Sequence, residues 1–371
     1  MFLHEDETFF KKFFVVLSFF FAVLNFGGGV TEAANYYISS DSAVDLQNTI
    51  NAAASGDTIY VAAGTYNLTE YQTTQQEYTA RDEYGNEYTD YRTVLVSVGK
   101  IHINKSLTLS GGWDNSFTQQ TPSATTLKGN YSNDIVAVYP DWYNPVSIDM
   151  IISGFTIIGA DGNERVTAGV DANECESLTL ADCTFKNNAT AVAINRGNRE
   201  LSSNIILTGC TITENGEGVY IGPGSMAVTI SGCIITSNDE FGLYSYYNNN
   251  QTNVTITDCI IAGNGGDASY HNSCGGLYLS GKTATITNTK ITNNYGNGVE
   301  SWFVGEDVIV TFNSCDVMYN KDAGISIGIS NYSDKNTTKI TNCNIVSNDS
   351  SGVGISRHSH VESLRACSVS P

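Results

Sequence analysis

The chain has 371 residues, a formal net charge of −20 and only 15% charged residues, with 35 Gly, 21 Tyr and 5 Pro. An acidic, tyrosine-rich chain of this kind is a poor ligand for nucleic acid or for an anionic membrane surface. Its solubility rests on Asn, Thr, Ser and Asp, and the length suits one large domain or two ordinary ones.

The N-terminus reads as an export signal. Lys11 and Lys12 precede the apolar run Phe13 to Leu24, and the small residues Ala33 and Ala34 follow. About a dozen apolar residues are too few to span a bilayer, so residues 1–34 are expected to be a removed signal peptide, with no membrane span afterwards and a secreted or cell-surface destination. Asp45 to Ala54 has the apolar spacing of a short amphipathic helix through Leu46 and Ile50. A strand follows from Thr58, and residues 68–93 form a polar, Tyr-rich insertion.

From residue 150 onward the chain repeats itself. Phe155, Cys183, Cys210, Cys233, Cys259, Thr289, Cys315 and Cys343 are spaced by 28, 27, 23, 26, 30, 26 and 28 residues. Five residues after each lies Ala160, Asn188, Asn215, Asn238, Asn264, Asn294, Asn320 or Asn348. Apolar residues recur three before and two after the cysteine position, and a Gly-led segment such as "GVYI" at Gly218 or "GLYL" at Gly276 closes the unit. Each unit is three short strands of alternating pattern. The residue before each cysteine position is Gly154, Asp182, Gly209, Gly232, Asp258, Asn288, Ser314 or Asn342, types that tolerate left-handed backbone angles at a sharp corner. Such a period describes an all-β parallel β-helix, a solenoid of three strands per coil capped by the N-terminal helix, over residues 35–356. The right-handed crossover rule sets its hand. Residues 357–371 are expected to be an irregular tail.

In a stacked coil like residues touch. The asparagines are expected to form an amide ladder. The cysteines are expected to form an inward ladder of reduced thiols, because in-register Cβ atoms point the same way and suit disulfide geometry poorly. No C-x-x-C or Cys/His spacing points to zinc.

The stretches "INAAASGDTIYVAAGTYN", "INKSLTLSGGW" and "ISGFTI", with the "NCxI…N…G" repeats, resemble exported bacterial right-handed parallel β-helix repeat proteins. These are the pectate-lyase-like superfold in its polymorphic outer-membrane and choice-of-anchor types. The resemblance implies a fold shared by carbohydrate-binding surface proteins and by polysaccharide-cleaving enzymes. Pectate lyases on it use calcium, clustered aspartates and an Arg or Lys base; the acidic balance is compatible with calcium, but no motif specifies it and the cofactor stays unknown. The polygalacturonase-like signatures "NTD", "DD", "GHG" and "RIK" do not occur.

The outer face of the third strand carries the functional expectation. Tyr220, Tyr244, Tyr246, Tyr278 and Trp302 are expected to form an exposed aromatic stripe suited to sugar rings, beside Glu300. Glu300, Asp322, Asp267 and His271 are the weak candidates for acid/base chemistry, the last two from an insertion at residues 265–276. The expectation is an exported surface or adhesion-type protein that binds a polysaccharide or cell-surface glycan without cleaving it. The alternative is a polysaccharide lyase or glycoside hydrolase.

Overall fold

The computed structural model describes residues 33–370 apart from 40, 70, 82–86, 98, 130–132, 140–146, 160–167, 174, 196–202, 247–250, 267–273, 330–335, 356–359 and 366. Residues 1–32 of the expected signal peptide and the candidates Asp267 and His271 lie outside the described residues.

Among the described residues the chain winds into a parallel β-helix whose three sheets contain twelve, eleven and ten strands. One coil shows the plan: Asn253–Thr257 in the first sheet, Ile260–Ala262 in the second and Leu277–Leu279 in the third. Each pairs in parallel with its counterpart one coil away, so Ile230, Ile256 and Ile286 stand in register, as do Ile235, Ile261 and Ile291. These columns point inward and are fully buried. The core is a narrow stack of aliphatic rungs, and burial of apolar area along it is the main stabilising term.

The corners follow from residue type. Gly154, Asp182, Gly209, Gly232, Asp258, Asn288, Ser314 and Asn342 all have φ between 49° and 73°, the left-handed region that the Gly/Asn/Asp-rich column anticipates. The next corner is held by the asparagines. Asn238 Nδ2 donates to Asn264 Oδ1 at 2.9 Å, and the backbone N of Asn238 donates to the same oxygen at 3.1 Å. The other amide hydrogen goes to a carbonyl one coil back, as from Asn264 to Ile235 at 3.0 Å. Each buried amide is thereby satisfied by three coils at once. Close approach also explains the following glycines: a Cβ on Gly298 would lie 2.7 Å from Asn320 Nδ2 and 2.6 Å from the Gly324 carbonyl.

The cysteine ladder is buried and its members are free thiols. The backbone N of Cys233 donates to Cys259 Sγ at 3.4 Å. Thr289 fits the same slot because its hydroxyl accepts from the N of Cys259 at 3.4 Å and donates to the Thr287 carbonyl at 2.9 Å.

The first coil is closed by the helix Ala43–Ala52, capped by Ser42, whose side chain accepts from the N of Asp45 at 3.2 Å. Leu46 and Ile50 are buried against the core. Gln47 does more than cover: its amide donates to the His102 carbonyl at 3.0 Å and accepts from the His102 N at 2.8 Å. His102 lies in Ile101–Ile103, the edge strand of the third sheet. One side chain thus pairs with an open edge as a strand would.

Two expectations are corrected. The tail is not irregular: His360–Arg365 continues the first sheet beside Thr337–Thr341, and Ser368–Val369 continues the second beside Asn344–Ile345. Cys367 therefore extends the cysteine ladder, its thiol donating to the Ile340 carbonyl at 3.4 Å. The insertion is an antiparallel pair, Tyr71–Arg81 with Glu87–Ser97, and it starts after Leu68, which belongs to the buried core.

Candidate functional site

The third sheet presents one continuous outer column. Its residues, coil by coil, are His102, Ala137, Asp171, Ala193, Tyr220, Tyr244, Tyr278, Glu300 and Ser326. Four of the expected stripe and acid residues, Tyr220, Tyr244, Tyr278 and Glu300, occupy consecutive coils. At ~4.8 Å per rise they span ~14 Å.

The three tyrosines are half-buried rather than exposed. Their rings stack on one another, Tyr220 with Tyr244 at 5.9 Å between centroids and Tyr244 with Tyr278 at 5.0 Å. Phe241, itself buried, packs beneath at 5.5 Å from Tyr244 and 5.7 Å from Tyr278, edge-on to the latter. Parallel in-register strands bring identical side chains closer than a ring and a sugar could share, so the tyrosines spend their faces on each other. What they offer outward is ring edge and hydroxyl. Burial, and then the neighbouring Tyr278 and Glu217, push the Tyr244 hydroxyl up to about 12, so it stays protonated and able to donate.

Glu300 continues the row. Asn297 donates to its Oε2 at 3.1 Å, while Asn297 Oδ1 accepts from the backbone N of Ala323 at 3.0 Å. The second bond fixes the amide orientation of the first. Burial raises the Glu300 carboxyl above its ordinary value and the Asp322 charge adds to this, against the Asn297 hydrogen bond. Asp322 itself is exposed.

Trp302 lies one column further out and is 47% exposed. Its indole lies over Gly328 in the adjacent coil, where a Cβ would come within 2.4 Å of the ring. Glycine there lets the indole lie flat and leaves it as a free aromatic surface. Tyr246 is half-buried in the same outer column, one coil from Gly222.

Sequence patterning did not anticipate a hollow of about 420 Å³ at the corner leading into the strand Val299–Phe303, lined by Asn293, Tyr295, Tyr319, Lys321, Ser347 and Asp349. Tyr295 and Tyr319 are both exposed, and Lys321 and Asp349 pair at 3.7 Å. Tyr319 has φ 58°, a conformation a bulky residue adopts at a cost. Among the described residues no group of three or more His, Cys, Asp or Glu is arranged to hold a metal ion, and no helix is long and apolar enough to cross a membrane.

The structure is similar to that of ORF18 of Geobacillus virus E2, with a TM-score of 0.57 at 16% identity, covering 99% of this chain. The chain spans 63% of that protein's length. A second similar structure is the pectate lyase Pel9A, with a TM-score of 0.46 at 14% identity, covering 81% of this chain and 78% of the lyase. No curated protein matches the sequence. The sequence itself matches the family described as "Right handed beta helix region" over residues 146–314 and 200–368. Together those matches run from residue 146 to residue 368, more than half of the chain, and the chain belongs to the right-handed β-helix family.

Proposed function

We propose that this is an exported surface or adhesion-type protein that binds a polysaccharide or cell-surface glycan along the outer face of the third sheet, without cleaving it. The observation that carries the reading is the register of Tyr220, Tyr244, Tyr278 and Glu300 across four consecutive coils. It forms a straight row of hydroxyls ending in a carboxylate, with the exposed indole of Trp302 beside it. Donors and acceptors in a line suit the repeating hydroxyls of an extended glycan, and the indole gives one sugar ring a surface to stack on. The face is open, so affinity is modest and specificity comes from the spacing of the row. Export rests on the Lys11–Lys12 and Phe13–Leu24 leader.

Cleavage has one observation in its favour: the raised, half-buried carboxyl of Glu300 close to Asp322. Such a carboxyl suits a general acid, and paired carboxyls are the means of glycoside hydrolysis. A panel of polysaccharides, scored for retention of the protein and for new reducing ends or unsaturated products, separates the two. Binding without product supports the proposal. Turnover that Glu300→Gln abolishes replaces it with cleavage, by hydrolysis or by elimination according to the product, and neither binding nor turnover overturns both.

A further inference from the structure

The first strand of the coil stack starts on a buried acid. Asp57 is only 4% exposed and stands between the capping helix Ala43–Ala52 and the strand Thr58–Ala62. Its Oδ2 accepts from the backbone N of Ala54 at 2.7 Å, and its Oδ1 accepts from the backbone N of Ala34 at 2.7 Å. Ala34 is held at its other end as well, because its carbonyl accepts from the N of Thr58 at 2.9 Å. Asn35–Ile38 then runs in register beside Thr58–Val61. The nitrogen of Ala34 is therefore a fixed point of the fold, although the residue itself is exposed.

Two neutral N–H groups leave the charge of Asp57 without a counterion. Among the described residues no cation pairs with it. Lys105, at the end of the same helix, donates to the Asn51 and Ala53 carbonyls at 3.0 and 2.9 Å. Burial first, and then the Asp57 carboxylate, raise the Tyr36 hydroxyl above its ordinary value, so it stays a neutral neighbour. A carboxylate taken out of water without an opposite charge is costly.

The missing charge is one bond away. The compact body of the fold begins at Ala34, and Thr31, Glu32 and Ala33 precede it. Export peptidases cut after leaders with small residues at the last and third-last positions. A cut after Ala33 places Ala33 and Thr31 there, whereas a cut after Ala34 places the charged Glu32 at the third-last position. We propose that the Ala33–Ala34 bond is the processing site of the leader, and that the α-ammonium it releases is the counterion of Asp57. Water is the co-reactant of the peptidase. Its oxygen adds to the Ala33 carbonyl carbon, the C–N bond breaks, and its two protons pass to the Ala34 nitrogen, giving a carboxylate and an ammonium at neutral pH. That nitrogen already stands at hydrogen-bonding distance from Asp57, so processing turns a neutral contact into a charge-assisted one without moving the chain. Export and the closure of the first coil are thereby coupled. This rests on the export part of the functional reading, and it ends the leader at Ala33.

The test expresses the full chain with its leader in a secreting bacterium and reads the N-terminus of the exported protein by mass spectrometry. It should begin at Ala34. The charge is read with cyanate, which carbamylates only unprotonated amines, by following the N-terminal peptide. Paired with Asp57, the α-amine of the folded protein should react about tenfold more slowly than in the guanidinium-unfolded protein. Asp57→Asn should remove most of that protection; where this variant fails to fold, the ratio in the parent decides alone. An exported protein that begins elsewhere, an α-amine equally reactive folded and unfolded, or protection that persists in folded Asp57→Asn overturns the inference and leaves export standing. A chain kept inside the cell with its leader attached overturns export as well.

Discussion

The rings of Tyr244 and Tyr278 are stacked 5.0 Å apart with 26° between their planes, and their strands are adjacent in register. The contact consumes the ring faces and aligns the hydroxyls, so it serves both the packing and the proposed glycan row. The two roles separate by substitution. Tyr244→Phe keeps the stack and removes one hydroxyl, so it should lower glycan affinity about three- to tenfold and leave stability nearly unchanged. Tyr244→Ala also removes contacts with Tyr220, Tyr278 and Phe241 and should cost about 1–3 kcal/mol. Titration beside urea denaturation reads both; equal affinity of Tyr244→Phe and the parent would remove the hydroxyl row from the site.

Asn238→Ala should destabilise the coil stack by about 2–4 kcal/mol. The backbone N and the amide of Asn215 both donate to Asn238 Oδ1, at 3.1 and 3.0 Å; the first would be left buried without an acceptor, and the second would keep only the Phe185 and Thr213 carbonyls. Denaturant unfolding measures the loss. A cost of a few tenths would mean that water replaces the ladder.

The cysteine ladder makes two predictions together. Thiol titration of the unfolded protein without reductant should find the ladder cysteines free. Hydrogen bonding with Cys210, and burial, push the Cys233 thiol up to about 12, so it resists oxidation at neutral pH. Cys233→Ser should cost less than Cys233→Val, since Thr289 shows that a hydroxyl fills the thiol's two hydrogen-bonding roles in that slot. Oxidised ladder thiols, or a serine variant worse than valine, would contradict this.

The Asp171 carboxyl also makes stability depend on pH. Its folded pKa of about 6 lies above the ordinary 3.8. For a raised carboxyl, stability is fully present below the unfolded pKa and lost as pH rises through the folded one. Between pH ~4 and ~7 the ligand-free protein should therefore lose about 2 kcal/mol that Asp171→Asn does not lose. Thermal or chemical unfolding across that range checks it, and parallel curves for the two proteins would sink it.

The repeat made the fold legible because a solenoid writes its contacts into fixed offsets. The cysteine column gave the inward ladder, the residue before it gave the left-handed corners, and the column after each glycine placed Tyr220, Tyr244, Tyr278 and Glu300 on one face. Offsets say which residues share a face and nothing of how rings settle there, so the self-stacking that half-buries the tyrosines was not readable. The last coil was missed because Leu364, Cys367 and Val369 keep the repeat's spacing while the asparagine position falls beyond Pro371. The screened Asp171 carboxyl was missed for another reason: Lys100, Asp134 and Asp171 belong to different coils separated by irregular segments, and neither burial nor an absent hydrogen-bond partner has a local signature in sequence.

The most direct measurement is the crystal structure of the protein with a bound oligosaccharide from the polysaccharide panel. Sugar density is expected along the third sheet between Tyr220 and Trp302, with hydroxyls of the glycan within hydrogen-bonding distance of Tyr244, Tyr278 or Glu300. Density on the outer face of the first or second sheet, with the tyrosine row bare, would contradict it.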